Sequence, residues 1–213
     1  MDQETQKKVY DFFAQFKFQK YRKGELLIRA DDEPAGIFYI VKGSVKEYAI
    51  SPKGDELVLN IFKPPAFFPM SWAMNNTPNN YFFEAIAECE IWRAPKDSVI
   101  IFLKKNPDVL YDLLRRVYKG TDGLLLRMVY LMTGSAYARL IAELLIYTKR
   151  FGKKGMDGKL VLDVTETDLA TFAGMTRETV SREMKILKEK DLVSLEDNKI
   201  KIHDLEKLQE QIQ

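Results

Sequence analysis

The sequence predicts an α+β chain in three stretches, an antiparallel β-roll, a long helix and a winged helix-turn-helix, and three observations predict it. Short β-rich runs broken by turn residues fill positions 17 to 95. An apolar seam in alternating steps of four and three follows Asn106-Pro107. Further on, two helix-capping threonines, Thr165 and Thr176, stand on either side of Gly174 at the spacing of two helices joined by a tight turn. The stretches divide at residues 1–105, 106–133 and 134–213.

Composition limits the reading before any motif does. With 46% apolar residues over 213 positions the chain has material for packed cores, so disorder throughout is excluded. No stretch approaches 18 uninterrupted apolar residues, and Met1 to Tyr10 is polar without a basic-then-apolar layout, which predicts a cytoplasmic protein with no membrane partner. Cys89 is the one cysteine; it makes no internal disulfide and cannot supply the thiolates of an iron-sulfur cluster within one chain. A net charge of +2 is too small to announce nucleic-acid binding, so any basic surface has to be local.

Val9, Phe12, Phe13 and Phe16 share a helical face, which predicts a short amphipathic helix over Asp2 to Phe16. The period then changes. Strands are expected at Glu25 to Arg29, Ile37 to Val41, Val45 to Ile50, Glu56 to Phe62 and Tyr81 to Ala87. Between them stand the turn signals Arg22-Lys23-Gly24, Lys42-Gly43 and Ser51-Pro52-Lys53-Gly54, and Asn75 to Asn80, interrupted by Pro78, is expected to be a loop.

Asn106 caps and Pro107 opens the long helix. Leu110, Leu114, Val117, Thr121, Leu124, Met128 and Leu131 form its seam, widened by Leu113, Tyr118 and Leu125, and such a seam predicts a second copy as partner. The alternative is a helix lying only on its own domain. Gly120 and Gly123 each weaken helix propensity by roughly 1 kcal/mol, so packing must hold the middle. A further helix is expected from Gly134 to about Phe151-Gly152, then a glycine- and lysine-rich connection to a strand at Leu160 to Val164.

The run Thr165-Glu-Thr-Asp-Leu-Ala-Thr-Phe-Ala-Gly-Met-Thr-Arg-Glu-Thr-Val-Ser-Arg182 carries the most information. Thr165 caps a helix whose Leu169, Ala170 and Ala173 face inward, Gly174 suits a left-handed turn, and Thr176 caps a second helix with Val180, Met184 and Leu187 inside. Arg177, Glu178, Ser181 and Arg182 then share the outward face at the N-terminus of the second helix, the part of a helix-turn-helix that enters the major groove. Guanidinium groups fit the paired acceptors of guanine, and a carboxylate accepts from the cytosine amino group. Thr165, Thr176, Thr179, Lys185 and Lys188 are candidates for phosphate contacts. The competing reading, salt bridges on a solvated helix face, ignores the two caps, the glycine turn and the two strands expected at Leu192 to Leu195 and Lys199 to Ile202 around Glu196-Asp-Asn198. Those strands predict a wing, with Lys199 and Lys201 near the duplex backbone.

Thr176-Arg-Glu-Thr-Val-Ser-Arg182 resembles the recognition helix of Crp-Fnr transcription regulators, and Phe38-Tyr-Ile-Val-Lys-Gly-Ser-Val45 resembles that family's strand-glycine-strand signature, with the likeness reaching across nearly the whole chain. It implies a β-roll of the cyclic-nucleotide-binding jelly-roll type, a dimerisation helix over 106–133 and a winged DNA-binding domain over 134–213. It further implies a homodimer on double-stranded DNA at an inverted repeat, with half-sites roughly 34 Å apart, and RNA polymerase as a partner. By analogy Arg177, Glu178 and Arg182 fall on base-reading positions, and Ser181 matches one in the oxygen-sensing branch.

The chain departs from the family's cyclic-nucleotide-binding members where the effector would sit. Their glycine-glutamate and arginine-serine pairs align with Pro69-Met70 and Asn80-Tyr81, and the dimerisation-helix pair that meets the base aligns with Leu124-Leu125. Met70 cannot accept a ribose hydroxyl and Asn80 carries no charge for a phosphate, so cyclic AMP is not expected to bind. Phe67, Phe68, Met70, Trp72, Met74, Tyr81, Phe82 and Phe83 crowd this cassette, either filling the space themselves or admitting an apolar effector. No cofactor is expected. Haem on Cys89 is a minor alternative, since the lone histidine, His203, lies near the wing and reads as a surface residue. An enzyme is the weakest class, because the β-rich region has no histidine to join a metal cluster. A ligand-sensing module that touches DNA weakly is the remaining rival to a sequence-specific regulator.

Overall fold

The computed structural model describes every residue except 53, 55, 156, 157, 197, 198 and 213. The expected connection through 152–159 and the turn at Glu196-Asp-Asn198 therefore lie partly outside the described residues, as does Lys53 of the expected turn at 51–54. The chain forms two compact units, Met1–Val117 and Tyr118–Gln213, so the boundary falls inside the long helix.

In the first unit the order is α1 (Gln3–Phe13), β1 (Lys17–Tyr21), β2 (Leu26–Ile28), β3 (Ile37–Lys42), β4 (Val45–Ile50), β5 (Glu56–Phe62), β6 (Phe67–Phe68), α2 (Met70–Asn75), β7 (Phe82–Ala85), β8 (Cys89–Ala94) and α3 (Lys96–Lys105), followed by α4 (Pro107–Thr133). Two antiparallel four-stranded sheets, ordered β1-β8-β3-β6 and β2-β7-β4-β5, make the predicted roll. One core lies between them: Phe38 and Ile91 from the first sheet meet Ile28, Val45 and Phe83 from the second, each screened from water. Burying a side chain of this size contributes about 1.5 to 3 kcal/mol, which holds the sheets face to face. A second core joins Val9 and Phe13 of α1 to Tyr39, Val99, Leu103 and Val109.

The cassette is filled by rings. Phe68 stacks on Phe83 with centroids 5.0 Å apart and also on Phe38 and Phe62 at 5.8 and 4.9 Å. Trp72 is buried and lies under the Lys96 ammonium at 4.7 Å, whereas Met74 is exposed. Pro69 is buried at the start of α2, Met70 and Tyr81 are half-buried, and Asn80 is exposed. Cys89 is a packing residue of β8: its Sγ donates toward the carbonyls of Ser44 and Ala87 at 3.3 Å, and burial pushes its thiol up, away from thiolate.

Several elements differ from expectation. The first helix stops at Phe13 rather than Phe16, and the strands expected at 25–29, 81–87 and 160–164 are two to three residues shorter. β8 lies beyond the strand expected at 81–87 and is not among the expected strands, because Ile86, Ala87 and Glu88 before it offer no glycine, proline or asparagine to mark a turn. α3 was missed although Pro95 precedes it and Val99 and Leu103 lie four apart on its buried side. α2 was missed because its aromatic and methionine residues read as cassette rather than helix.

Two polar residues, Glu47 and Asn60, stand opposite each other on the inward face of the second sheet. Glu47 of β4 pairs across with Asn60 of β5 and Phe83 of β7, in the same register that turns Val45 and Ala85 inward. Burial raises its carboxyl from the ordinary 4.5 to about 7, and a hydrogen bond from the Asn60 side chain only partly opposes this. A carboxyl whose folded value is raised favours the fold while it is protonated. Its contribution is fully present below about pH 4.5 and is lost as the pH rises through 7. Thermal unfolding at pH 5 and pH 8 should therefore show a fall in stability, with at most about 3 kcal/mol of it from Glu47, that Glu47→Gln reduces. An identical pH slope in the two proteins would refute it.

Candidate nucleic-acid interface

The second unit contains α5 (Ala136–Phe151), β9 (Lys153–Lys154), β10 (Leu160–Leu162), α6 (Glu166–Ala173), α7 (Arg177–Glu189), β11 (Val193–Glu196), β12 (Lys199–Ile202) and α8 (Leu205–Glu210). β11, β12, β10 and β9 form one antiparallel sheet, and the β11-β12 hairpin is the predicted wing, shifted by one residue at its first strand. The short α8 was not anticipated.

The helix-turn-helix is built by its caps. The Asp168 amide donates to Thr165 Oγ1 at 3.1 Å while the Thr165 amide donates to Asp168 Oδ2 at 3.0 Å, a reciprocal box that satisfies two otherwise unpaired donors. Gly174 ends α6 in the left-handed region, with φ +58°, where a side chain would be strained. The Thr179 amide then donates to Thr176 Oγ1 at 3.2 Å and starts α7. Val180, Met184 and Leu187 are wholly buried, and Leu169, Ala170 and Ala173 of α6 are buried too.

With that face buried, the opposite one is set. Arg177, Glu178, Ser181 and Arg182 are all exposed in the first two turns of α7. Glu178 is held below its ordinary value by its own backbone N–H and by the Thr176 hydroxyl, so it is a carboxylate at neutral pH. The edge therefore alternates cation, anion, neutral hydroxyl, cation. Arg182 is anchored by its neighbour: Nε and Nη2 donate to Glu183 Oε1 at 3.1 and 3.0 Å.

The expected phosphate-contacting residues are less uniform. Lys185 and Lys199 are exposed, Lys185 standing 3.9 Å from Glu189. Lys188 is 3.7 Å from Glu166. Lys201 turns back on its own hairpin, with Nζ 2.5 Å from Glu196 Oε2. The hydroxyls of Thr165, Thr176 and Thr179 serve the caps, Thr176 and Thr179 being 3.1 Å apart. His203 is corrected: it is half-buried rather than a surface residue, because Nδ1 lies 2.9 Å from Asp191 Oδ1 and Nε2 lies 2.9 Å from Ser194 Oγ, tying the wing to the end of α7. Two residues escaped sequence reasoning. Asn79 is buried and donates to the carbonyls of Arg29 and Tyr81, holding the loop that carries it. Glu183 is buried although it occupies a position the apolar stripe of α7 would assign to a hydrocarbon.

α4 carries the predicted seam uncovered. Leu114, Val117, Thr121, Leu124, Leu125, Met128 and Leu131 are exposed, Leu110 is half-buried, and Val109 is the buried residue of the 27 in the helix. The second half of α4 is pinned to α5 by a buried pair. Arg127 Nε and Nη2 donate to Glu143 Oε1 and Oε2 at 2.5 and 2.9 Å, and burial raises the Glu143 carboxyl while Arg127 draws it back. Tyr130 adds a hydrogen bond to the Ile212 carbonyl at 2.8 Å.

Residues 18–106 match the family model for the cyclic nucleotide-binding domain, and residues 138–211 match the model for the Crp-like helix-turn-helix domain. Among characterised relatives, the global nitrogen regulator of Nostoc sp. is 25% identical over 87% of this chain and 84% of its own length. The fumarate and nitrate reduction regulatory protein of Yersinia pestis is 24% identical over 88% of this chain and 75% of its own length. Among solved structures, a CooA mutant from Carboxydothermus hydrogenoformans superposes with a TM-score of 0.80 at 20% identity, covering 95% of this chain and 90% of that one. No helix among the described residues is long and apolar enough to cross a membrane.

The Arg127–Glu143 pair yields a test of how α4 is held to α5. Arg127→Met should strand a buried carboxylate and destabilise the second unit by about 3 to 5 kcal/mol, and Glu143→Leu added to it should restore most of the loss. Denaturant unfolding that shifts by less than about 1 kcal/mol in the single variant would contradict a buried ion pair.

Proposed function

The chain belongs to the Crp-Fnr family of transcription regulators, and from that premise we propose that it binds double-stranded DNA as a homodimer at an inverted-repeat operator, without cyclic AMP as effector. The observation that carries the reading is the first two turns of α7, where Arg177, Glu178, Ser181 and Arg182 are exposed on the side opposite a fully buried stripe. In the major groove, Arg177 and Arg182 would take the O6 and N7 of guanine, Glu178 the amino group of cytosine, and Ser181 an acceptor or donor of either kind. Lys185, Lys188, Lys199 and Lys201, with the cap hydroxyls of Thr165, Thr176 and Thr179, would set register on phosphates. Lys188 and Lys201 would first have to leave Glu166 and Glu196.

Homodimerisation is supported by α4. Seven-residue repeats of exposed apolar side chains, such as Val117, Leu124 and Leu131, leave an uncovered seam that a copy of the same helix fits. A two-fold dimer places two α7 helices one turn of duplex apart, which is why the operator would be palindromic. Effector independence from cyclic AMP is supported by Pro69, Met70, Asn80, Tyr81, Leu124 and Leu125 at the contact positions and by the stacked Phe68 and Phe83 rings inside the roll. Its cellular level, an apolar small molecule, or a protein partner such as RNA polymerase in the cytoplasm would then set its activity.

Selection from random duplexes should enrich an inverted repeat with half-sites one helical turn apart. Arg182→Ala should cost about 1 to 3 kcal/mol per half-site at a single base pair. Leu124→Glu should sediment as a monomer and lose the operator. Sequence-blind, salt-sensitive binding, or a Leu124→Glu protein that remains dimeric, would count against the reading. Titration calorimetry with cyclic AMP should show no heat of binding at micromolar concentration, and a saturable micromolar isotherm would overturn the cassette argument.

A further inference from the structure

We propose that Glu183 is a positioning residue for base recognition, holding one edge of the Arg182 guanidinium so that the other edge meets a single base. The assignment rests on the base-reading role of Arg182 given above. Glu183 lies in the stripe Val180, Glu183, Met184, Leu187, which packs inward, and it is 7% exposed. A carboxylate at such a place costs free energy unless it is paired, so its presence needs a partner. That partner is Arg182, 67% exposed at the side chain and joined to the one carboxylate oxygen through Nε and Nη2.

The choice of nitrogens matters. A guanidinium has five N–H donors arranged along two usable edges. Nε with Nη2 forms the side edge, which Glu183 occupies. Nη1 with the second Nη2 hydrogen forms the end edge, which matches the O6 and N7 of guanine. Anchoring the side edge therefore leaves the specific edge available while removing rotamers that the arginine would otherwise sample. An arginine with its torsions already restricted loses less freedom on binding, and it cannot wander to a phosphate instead. The carboxylate also cancels one positive charge near the duplex, which weakens sequence-independent attraction.

These two effects give a signature that a folding defect would not produce. Glu183→Leu should lower discrimination at the base pair read by Arg182 by about tenfold. Discrimination elsewhere should be unchanged, and affinity for random-sequence duplex should increase severalfold at low salt. Glu183→Gln keeps an acceptor without the charge and should retain most of the discrimination, whereas Glu183→Met, which keeps the length of the side chain but no acceptor, should lose it as the leucine variant does and serves if that variant does not fold. Arg182→Ala first identifies the base pair. If that variant relaxes one position and neither Glu183→Leu nor Glu183→Met does, or if these weaken all positions equally, the assignment to Glu183 is overturned and the role of Arg182 stands. If Arg182→Ala relaxes no single position, both fall.

Discussion

A helix can offer side chains to a groove only when its other side is held, and every functional feature of this chain depends on the burial of Val180, Met184 and Leu187 against the rest of the second unit. With that stripe wholly removed from water, rotation of α7 about its own axis would expose hydrocarbon at roughly 1.5 to 3 kcal/mol per residue. The rotation is therefore fixed. The reciprocal Thr165–Asp168 cap and the left-handed Gly174 set where α6 ends and α7 begins, so the exposed arginines lie in the first turns rather than further along. His203, bridging Asp191 and Ser194, closes the same unit from the other end of α7.

The interior of the roll is filled with hydrocarbon. Phe68 occupies the centre of a stack with Phe38, Phe62 and Phe83. Asn79 takes up the backbone carbonyls of Arg29 and Tyr81 and so holds the loop in order. Glu47, opposite Asn60, is the exception to this apolar interior, and its raised carboxyl gives the roll a dependence on pH that the surrounding rings would not. A match to the cyclic nucleotide-binding domain thus coexists with a roll interior packed by stacked rings.

Much of this was legible in the sequence where local chemistry and packing agree. The caps at Thr165 and Thr176, the glycine between them and the inward spacing of Leu169, Val180, Met184 and Leu187 all specify the same two helices, and β4 and β5 have the predicted bounds because clear turns flank them. β8 and α3 are obscured by the lack of turn residues before one and of a side-chain cap at the start of the other. The candidate site was legible as a face but not as a network. Glu183 carries no signal in the sequence, and His203 reads as a surface side chain, because each is explained only by a partner that folding brings beside it.

The central claim is that the N-terminal edge of α7 lies in the major groove, once in each half of a two-fold complex. Methylation protection at guanine N7 on a selected duplex tests it most directly, since that atom is exposed only there. Two symmetric clusters of protected guanines about one helical turn apart are the expected result. Unprotected N7 atoms throughout a saturated complex would contradict it.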